Sequence, residues 1–294
     1  MMTIAKKIVR KIIRWIYCLA SMISPELNTQ IRFLRLTGKF GNLKNPQTFS
    51  EKLSWLKLNR YMHDPLVIKC ADKYRVREYL EECGLEKYLN PLYGVYRDPE
   101  EIDWESLPES FVLKVNFGCG YNILCKNKTD LDEKQTKKQL SKWLKSKYWL
   151  YYSEFQYDIP DKLILHEKFL HTDHPDGLLD YKFYCFHGKV MAVLVISRTG
   201  EEKAAIFMSP QWEIMSEDMH RYSRVIIPEK PQALEEMIQA SEIMSKPFPF
   251  VRVDFYEHEG RPVFGELTFT PASAVSPSET MIDGKQMGEY IKLN

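Results

Sequence analysis

The stretch VRVDFYEHEGRPVFGELTFTP, residues 251–271, has the pattern of two β-strands joined by a turn. Apolar and polar side chains alternate in both halves, and such alternation predicts strands with one apolar face. A three-residue loop with glycine in the left-handed conformation is a common hairpin connection, and a loop centred on Gly260 would pair Asp254 with Glu266. We therefore expect a hairpin that carries Arg252, Asp254 and Glu266 on one face.

The predicted pair of carboxylates, Asp254 and Glu266, needs a positive charge or a proton between them. Residues directly opposed in an antiparallel pair have Cβ atoms roughly 5 Å apart, and two carboxylates that close repel each other unless a proton or a cation lies between them. Mg²⁺ binds carboxylate oxygens and leaves positions for phosphate oxygens, and Arg252 could hold an anion beside the metal. The hairpin alone rather favours a solvated strand face on which Arg252 and Arg261 neutralise Asp254 and Glu266.

Composition describes a globular protein. The 294 residues are 44% hydrophobic and 13% aromatic, which allows one large domain or two to three small ones with a sizeable core. The net charge of +1 gives no global field that would attract nucleic acid, so we expect no nucleic-acid partner. The six cysteines form no Cys-x-x-Cys pair and no zinc-type spacing, which favours reduced thiols in a cytosolic protein.

The N-terminal segment, residues 1–24, is basic and amphipathic. Its basic residues are Lys6, Lys7, Arg10, Lys11 and Arg14, and the apolar residues at helical spacing are Ile4, Ile8, Ile12, Trp15 and Leu19. This pattern is typical of a helix that lies in a membrane interface, although it also allows packing on the domain or a signal peptide. The apolar run 15–23 is too short to span a bilayer. We expect a cytoplasmic protein that this helix could hold at the inner face of the membrane.

The rest of the chain alternates predicted helices and strands. Helices are predicted over 47–60 with Ser50 as cap, over 65–83 as one helix or two, over 130–148 with a Thr129–Asp132 capping box, and over 231–247. Strands are predicted on both sides of the Gly118–Gly120 turn, over 162–170, and over 179–198 with a turn at His187–Gly188. The mixture predicts an α+β or mixed α/β fold rather than a regular Rossmann array.

The sequence FVLKVNFGCGYN, residues 111–122, is a second candidate binding element. A buried-looking strand ends at Lys114, and Gly118-Cys119-Gly120 follows. Glycines let backbone N–H groups approach phosphates, and a lysine supplies a point charge. The stretch lacks the Walker GK[ST] ending, and a strand rather than a helix follows the glycines, so it is no Rossmann fingerprint either. A tight hairpin with an incidental lysine explains it equally well.

The order of these pieces resembles the ATP-grasp superfamily, and more closely its branch named for a teichuronopeptide biosynthesis protein, the TupA-like branch of bacterial cell-surface polysaccharide loci. The stretches that carry the resemblance, between about Asn45 and Pro277, are NPQTFSEKLSWLKLN, DKYRVREYL, DYKFYCFHGK and VDFY…FGELTFTP. The resemblance implies an α+β ATP-grasp fold in which two small α+β subdomains sandwich ATP after a short helical N-terminal segment. The implied units are a basic helical segment (1–44), a helical part of the ATP-grasp unit (45–90), a lid subdomain (91–170) and a metal-binding subdomain (171–294).

The resemblance also implies residue roles. The residues that would bind the ATP phosphates are Lys73, Lys114, Gly118, Cys119 and Gly120. Adenine would be held by Glu167 and by backbone around Lys168, Phe169 and Leu170, and the ribose by Asp180. Mg²⁺ would be held by Asp254, Glu266 and Thr268. The residues implied in catalysis are Lys182, at the γ-phosphate, and Arg252, at the transferred phosphoryl group.

The implied chemistry is ligation. A carboxylate attacks the γ-phosphate of ATP to give an acyl phosphate, and an amine then displaces phosphate to give an amide. Such transfer rests on positioning and electrostatic stabilisation rather than on a side-chain nucleophile. We therefore expect an ATP- and Mg²⁺-dependent carboxylate–amine ligase that modifies a capsular or other cell-surface polysaccharide, or its lipid-linked precursor, with an amino acid or amine.

Three departures from the superfamily keep alternatives open. Thr268 stands where many members have asparagine, Cys119 stands where a small polar residue is common, and a short basic segment replaces the usual α/β substrate domain. A kinase acting on a sugar hydroxyl, a non-catalytic ATP-binding adaptor, and a glycosyltransferase with Asp254 at its metal site therefore remain as alternatives. Within residues 198–230, the candidates for binding an anionic sugar are Arg198, Arg221 and Arg224, although the pattern favours a charged surface loop.

Overall fold

A computed structural model describes residues 4–198, 204–216, 226–277, 280–282 and 284–293 of the chain. In this part of the chain, two antiparallel sheets combine with eight α-helices, so the expected mixed α+β fold is confirmed. The residues of the four-stranded sheet lie within 92–168, and those of the six-stranded sheet lie within 180–268. The finer division into four units stays a prediction.

Two helices begin the described chain, α1 (Ile4–Ile23) and α2 (Pro25–Thr37). The hydroxyl of Ser24 accepts a hydrogen bond from the Leu27 N–H, and Pro25 follows at the first helical position, where its missing N–H costs nothing. Helix α2 ends at Gly38, whose left-handed φ of 76° lets its N–H reach the Leu34 carbonyl.

Helix α3 (Phe49–Leu56) begins two residues earlier than a cap at Ser50 would allow. Thr48 and Glu51 form a capping box, while Ser50 lies inside the helix, where its hydroxyl accepts from the Ser276 N–H. The predicted cap at Ser50 was therefore wrong. A π-helical turn, Lys57–Tyr61, continues α3.

The predicted helical segment 65–83 is two helices, α4 (Pro65–Ala71) and α5 (Val76–Glu82). The break falls at Asp72, which adopts an extended conformation. Its buried carboxylate accepts from the Tyr74 N–H at 2.8 Å and from Asn116 Nδ2 at 3.0 Å. Those bonds tie the helix pair to the glycine-containing turn of the four-stranded sheet.

The four-stranded sheet has the order β1-β4-β2-β3 and is antiparallel throughout. Its strands are β1 (Leu92–Tyr96), β2 (Phe111–Val115), β3 (Asn122–Cys125) and β4 (Ile164–Lys168). It has its own small hydrophobic cluster, whose members include Trp104, Phe111, Leu113, Leu140 and Ile164.

Two helices, α6 (Glu133–Leu144) and α7 (Tyr148–Tyr152), replace the single helix predicted over 130–148. Asp132 itself is the cap of α6 and accepts from the Gln135 N–H, while the Thr129 hydroxyl donates to the Asn127 side chain. The predicted Thr129–Asp132 capping box was therefore wrong, because Asp132 sits at the cap position and not three residues into the helix.

The six-stranded sheet has the order β10-β9-β5-β6-β7-β8. Its strands are β5 (Asp180–Phe186), β6 (Lys189–Ser197), β7 (Ala204–Met208), β8 (Ile214–Ser216), β9 (Phe250–His258) and β10 (Arg261–Thr268). Helix α8 (Leu234–Ser245) packs on strands β5, β6 and β9. A two-stranded ribbon, β11 (Met281–Ile282) and β12 (Lys285–Gln286), follows near the end of the described chain.

The β9–β10 hairpin turns at Glu259 and Gly260, which have left-handed φ angles of 53° and 69°, respectively. The connection is thus the two-residue type with positive φ at both positions, not the predicted three-residue loop. A bulge at Gly265 shifts the register by one residue and restores the predicted pair of Asp254 with Glu266. A Cβ at Gly265 would lie 3.1 Å from the Asp254 carbonyl, which explains the glycine there.

Candidate active site

Asp254 is the centre of a buried charge network. It lies on β9, is 2% exposed, and accepts two hydrogen bonds from Arg252, with Nε–Oδ1 and Nη2–Oδ2 distances of 2.6 Å. Lys182 stands opposite it on β5, with Nζ 2.5 Å from Asp254 Oδ2. A buried carboxylate is stable only when it is paired in this way.

Lys182 also connects Asp254 to Asp180. Lys182 Nζ lies 3.3 Å from Asp180 Oδ1, and Arg198 Nη2 lies 2.7 Å from Asp180 Oδ2. Burial alone would raise the pKa of Asp180, but Lys182 and Arg198 hold that pKa below its ordinary value. Asp180 therefore stays ionised, and its two oxygens are already engaged by cations.

Glu266 and Thr268 complete the same face of the hairpin. Thr268 Oγ1 donates to Glu266 Oε1 at 3.1 Å, and Arg252 Nη2 donates to Thr268 Oγ1 at 3.0 Å. The Glu266 side chain is 32% exposed. Burial raises its pKa, yet Lys73 and Arg252 outweigh that effect and hold the pKa below its ordinary value. Glu266 is thus an ionised carboxylate with a face open to a ligand.

Lys73 joins the hairpin to the glycine-containing turn. Its ammonium donates to the Gly118 carbonyl at 2.6 Å and lies 3.9 Å from Glu266 Oε2, while its backbone N–H donates to the Asn116 carbonyl. Burial lowers the pKa of Lys73, Glu266 acts in the opposite direction, and the positive charge of Lys114 lowers it again. The Lys73 ammonium therefore interacts electrostatically with charged side chains of both sheets, with Glu266 on β10 and with Lys114 on β2.

The glycine turn requires its glycines. Gly118 and Gly120 have left-handed φ angles of 71° and 75°. A Cβ at Gly118 would lie 2.9 Å from the Tyr148 ring, whereas nothing lies within 4 Å of one at Gly120. Cys119 between them is exposed. The turn therefore packs on helix α7 at Gly118, while Cys119 and Gly120 lie on its open side.

Lys114 and Glu167 lie on neighbouring strands of the four-stranded sheet, with Lys114 Nζ 2.7 Å from Glu167 Oε2. Asn90 Nδ2 donates to the same oxygen at 3.2 Å and to the Lys168 carbonyl at 2.9 Å, and Arg77 Nη1 lies 4.0 Å from Glu167 Oε1. The position predicted for adenine is therefore lined by a charged network.

The remaining residues predicted for adenine, Phe169 and Leu170, follow β4 and are half-buried. Neither Asn90 nor Arg77 was among the predicted site residues, although Arg77 lies in the stretch DKYRVREYL that carries the family resemblance. Asn90 Oδ1 is buried without a hydrogen-bond partner among the described residues, so it is a further polar atom at this end of the sheet.

The donor set on the hairpin suits a hard cation. Within the described ranges, no group of three or more histidine, cysteine, aspartate or glutamate side chains could hold a metal ion by itself. Asp254 and Glu266 are paired across the hairpin, with the Thr268 hydroxyl beside Glu266. Mg²⁺ commonly takes one or two carboxylates and completes its octahedron with water and phosphate oxygens, so these three residues fit that ion.

A second buried polar cluster adjoins the hairpin and was not predicted. Glu154, 3% exposed, accepts from Thr270 Oγ1 at 2.6 Å and from Ser273 Oγ at 3.3 Å. Lys57 is fully buried and donates to the Tyr152 carbonyl at 3.1 Å, and burial lowers its pKa to about 7. The lysine lies in a charged, helix-like stretch, which gave no sign that it would be buried.

This cluster holds a strained backbone segment directly after β10. Ala272, Ser273 and Ala274 have left-handed φ angles of 52°, 54° and 66°. Such conformations cost on the order of 1–3 kcal/mol each in residues other than glycine and persist only where surrounding contacts enforce them. Here, Arg32 Nη2 of helix α2 donates to the Ala272 carbonyl at 3.0 Å, and Glu154 accepts from Ser273.

The structure brings most of the predicted site residues together in two linked groups. The hairpin group contains Asp180, Lys182, Arg252, Asp254, Glu266, Thr268, Lys73 and Gly118. The second group contains Lys114, Glu167 and Lys168. Of the residues predicted to bind an anionic sugar, Arg198 pairs with Asp180, while Arg221 and Arg224 lie outside the described residues.

Comparison with solved structures found matches to ligases and to a synthetase. The D-alanine–D-alanine ligase from Bacillus anthracis complexed with ATP shows 17% identity over 69% of this chain and 57% of that chain, with a TM-score of 0.41. The ATP-grasp ligase PsnB complexed with a minimal precursor shows 11% identity over 72% of this chain and 55% of that one, with a TM-score of 0.38.

An ADP complex of N5-carboxyaminoimidazole ribonucleotide synthetase shows 13% identity over 79% of this chain and 51% of that one, with a TM-score of 0.44. The chain thus spans a little over half the length of these structures. No curated protein matches it. A family model described as TupA-like ATP-grasp matches residues 51–292, most of the chain, so the chain belongs to the TupA-like ATP-grasp family.

Proposed function

We propose that this protein is an ATP- and Mg²⁺-dependent ligase of the carboxylate–amine type that modifies a bacterial cell-surface polysaccharide or its precursor. The observation that carries the proposal is the charge network around Asp254 and Glu266, which faces a glycine turn through Lys73. Membership of the ATP-grasp family supports the use of ATP. Two of the similar solved structures are named as ligases, which supports this reaction class.

The proposed nucleotide contacts use one cation from the four-stranded sheet and one from the connection between helices α4 and α5. Lys114 on β2 and Lys73 beside the Gly118 carbonyl would bind phosphate oxygens, and Gly118 and Gly120 add no side chain that would block a phosphate on either side of Cys119. Glu167 would accept from the adenine amino group. Phosphate oxygens would take over from Glu167 as the partner of Lys114, which frees the carboxylate for that role.

Asp254, Glu266 and Thr268 would hold Mg²⁺, which when bound neutralises phosphate charge and relieves the repulsion between the two carboxylates. Arg252 and Lys182 now pair with Asp254. Both cations lie in a buried, low-dielectric environment, where a fixed positive charge stabilises developing negative charge strongly. Their proposed role is to position and stabilise the transferred phosphoryl group.

In the proposed reaction, an oxygen of the acceptor carboxylate bonds to the γ-phosphorus while the bond from that phosphorus to the β–γ bridging oxygen breaks and ADP leaves. The amine nitrogen then bonds to the carbonyl carbon of the acyl phosphate, the carbon–oxygen bond to phosphate breaks, and the nitrogen gives up a proton. Exclusion of water by the glycine turn and its sheet would protect the acyl phosphate from hydrolysis.

The proposed acceptor follows from the resemblance to the polysaccharide-associated branch of the family. A sugar carboxylate would serve as the phosphorylated group, and an amino acid or another amine would attack it. Transfer to a sugar hydroxyl is the competing reaction, and it differs in one measurable respect. A kinase leaves the phosphate on the sugar, whereas a ligase releases free phosphate and forms an amide.

The first test is calorimetric binding of a non-hydrolysable ATP analogue with and without Mg²⁺. Mg²⁺-dependent binding by the wild type that is lost in the double variant Asp254→Asn, Glu266→Gln supports the site. The matched control is Glu259→Gln, because Glu259 lies in the same hairpin with its side chain 81% exposed. Equal binding by all three proteins, or none by folded wild type, would reject the proposed site.

The second test separates the reactions. Uronic acids, amines and neutral sugars are offered with ATP and Mg²⁺, and ADP, free phosphate and products are measured. Free phosphate with a new amide supports the ligase, and phosphate on the sugar establishes the kinase instead. Mg²⁺-dependent nucleotide binding without turnover of any acceptor would favour the adaptor.

A further inference from the structure

Helix α1 leaves a long apolar surface uncovered. Six of its side chains, called here the apolar face, are between 40% and 68% exposed, and they are Ile12, Trp15, Ile16, Leu19, Met22 and Ile23. Their spacing of three and four residues puts them on one side of the helix. An exposed apolar stripe of this length is unusual for a protein surface and marks an interaction site.

The opposite side of the helix is firmly packed. Tyr17, Ala20 and Ser21 are buried, and the Ser21 hydroxyl donates to the Leu150 carbonyl and lies 2.7 Å from Ser153 Oγ. The Tyr17 ring contacts the Tyr151 ring edge-on at 5.4 Å. The expectation that the apolar stripe packs on the domain is therefore wrong for the apolar face, because a different side of the helix makes those contacts.

The positive charge of helix α1 favours an anionic lipid surface as the partner of the apolar face. The segment Ile4–Ile23 contains five lysine and arginine residues and no aspartate or glutamate, and the side chains of Lys11 and Arg14 are exposed. Each lysine or arginine near an anionic lipid surface strengthens binding to that surface. A second copy of the chain would bring two such basic helices together across a symmetric interface, which like charges oppose. An exposed tryptophan within the apolar face suits the boundary between head groups and acyl chains.

We propose that helix α1 lies in the plane of an anionic lipid surface, with its apolar face in the acyl boundary and the exposed Lys11 among the head groups. Among the helices of the described ranges, none is both long enough and apolar enough to cross a bilayer. This inference does not depend on the proposed ligase activity.

Helix α7, on which helix α1 packs, also contacts the glycine turn. On one side of α7, the Leu150 carbonyl and the Tyr151 ring contact α1. On the other side, the Tyr148 ring lies beneath Gly118. A lipid surface bound to α1 would therefore lie against a helix pair that also supports the candidate active site.

The test is sedimentation of the full-length protein with vesicles of phosphatidylcholine alone and of an equal mixture of phosphatidylcholine and phosphatidylglycerol. The wild type should bind the mixed vesicles, and added salt should weaken that binding. The triple variant Ile12→Gln, Leu19→Gln, Ile23→Gln should bind at least about tenfold more weakly, since it loses three apolar side chains from the interface.

The matched control is Leu124→Gln, Ile227→Gln, Ile243→Gln, whose parent side chains are 62%, 77% and 37% exposed elsewhere on the protein. It should bind like the wild type. Trp15→Gln, a single change at a side chain that is 66% exposed, gives a second readout should the triple variant unfold. Absence of wild-type binding, or equal binding by wild type and Trp15→Gln, would overturn the proposal. A wild-type dimer that the triple variant converts to monomer, without vesicle binding, would assign the apolar face to a second copy instead.

Discussion

Lys182 and Asp254 face each other across strands β5 and β9, with Lys182 Nζ 2.5 Å from Asp254 Oδ2. Both side chains are buried, and the same ammonium group also reaches Asp180. One lysine therefore balances two carboxylates that come from different positions of the sheet. The stability of the folded protein should therefore depend on this one side chain.

Replacing Lys182 with methionine should lower the free energy of unfolding by about 3–5 kcal/mol, because it leaves buried carboxylates without one of their cations. The comparison variant is Lys189→Met, whose parent pairs with Glu242 on the surface and is 71% exposed. That change should cost less than about 1 kcal/mol. Urea titration of both variants measures the difference, and similar losses would contradict a special role for Lys182 in stability.

Replacing Lys114 with alanine should weaken binding of the ATP analogue by about 10- to 100-fold, the range expected when a charge-assisted hydrogen bond of about 1.5–3 kcal/mol is lost. Lys126→Ala is the control, because Lys126 is exposed on the turn after β3 of the same sheet. It should bind like the wild type in calorimetry. If both variants bind normally, Lys114 does not contact the nucleotide.

Gly118→Ala and Gly120→Ala should differ although both residues have left-handed φ angles of similar size. Each substitution costs about 1–2 kcal/mol in backbone strain. Only the new methyl group at position 118 also meets the Tyr148 ring, which would lie 2.9 Å away. Thermal unfolding and analogue binding should therefore be impaired more in Gly118→Ala, and Tyr148→Leu should partly restore the Gly118→Ala variant. Equal effects at both positions would show that the contact with helix α7 is unimportant.

Lys57 should make stability depend on pH. Burial lowers its pKa from 10.5 to about 7 in the folded protein. Between about pH 7 and pH 10, the unfolded chain therefore binds more protons at this side chain than the folded chain does, so its contribution favours folding increasingly as pH rises.

The free energy of unfolding of the wild type, relative to Lys57→Met, should accordingly rise by on the order of a few kcal/mol across that window. Burial raises the pKa of the neighbouring Glu154, which acts with the opposite sign, and Lys57 partly offsets that rise. Removing Lys57 should therefore enlarge the Glu154 contribution in the variant and widen the difference between the two proteins. Urea titrations at several pH values measure the difference. Parallel curves for the two proteins would mean that Lys57 keeps its ordinary pKa after folding.

The hairpin shows why part of the site could be predicted from the sequence. Strict alternation fixes which side chains share a face, so Asp254 and Glu266 were correctly paired. The loop length was wrong, and the pairing survived because the bulge at Gly265 compensates for the missing loop residue. The alternation of apolar and polar residues predicts which side chains share a face of the sheet, but it does not predict loop length. A bulge is equally hard to predict, because its only sign in this sequence is a single glycine.

Other parts of the site could not be predicted because they have no local pattern. Lys57, Glu154 and Arg32 come from three separate elements and meet only in the folded protein. A lysine within a charged, helix-like stretch suggests exposure, yet Lys57 is fully buried. Asn90 and Arg77 at the Glu167 carboxylate likewise depend on the packing of α5 against the four-stranded sheet. The roles implied by resemblance for the nucleotide-binding residues stay predictions until binding is measured.

The contacts of Arg252 have a consequence for the order of events at the site. Its guanidinium reaches Asp254, Glu266 and Thr268 together, so all three proposed metal ligands already share one resident cation. A divalent ion arriving alone would have to compete with that guanidinium and with Lys182 for the same oxygens. A nucleotide brings phosphate oxygens to which both side chains can turn. We therefore expect metal and nucleotide to enter as a complex, with the protein's own cations keeping the site electrically balanced between turnovers.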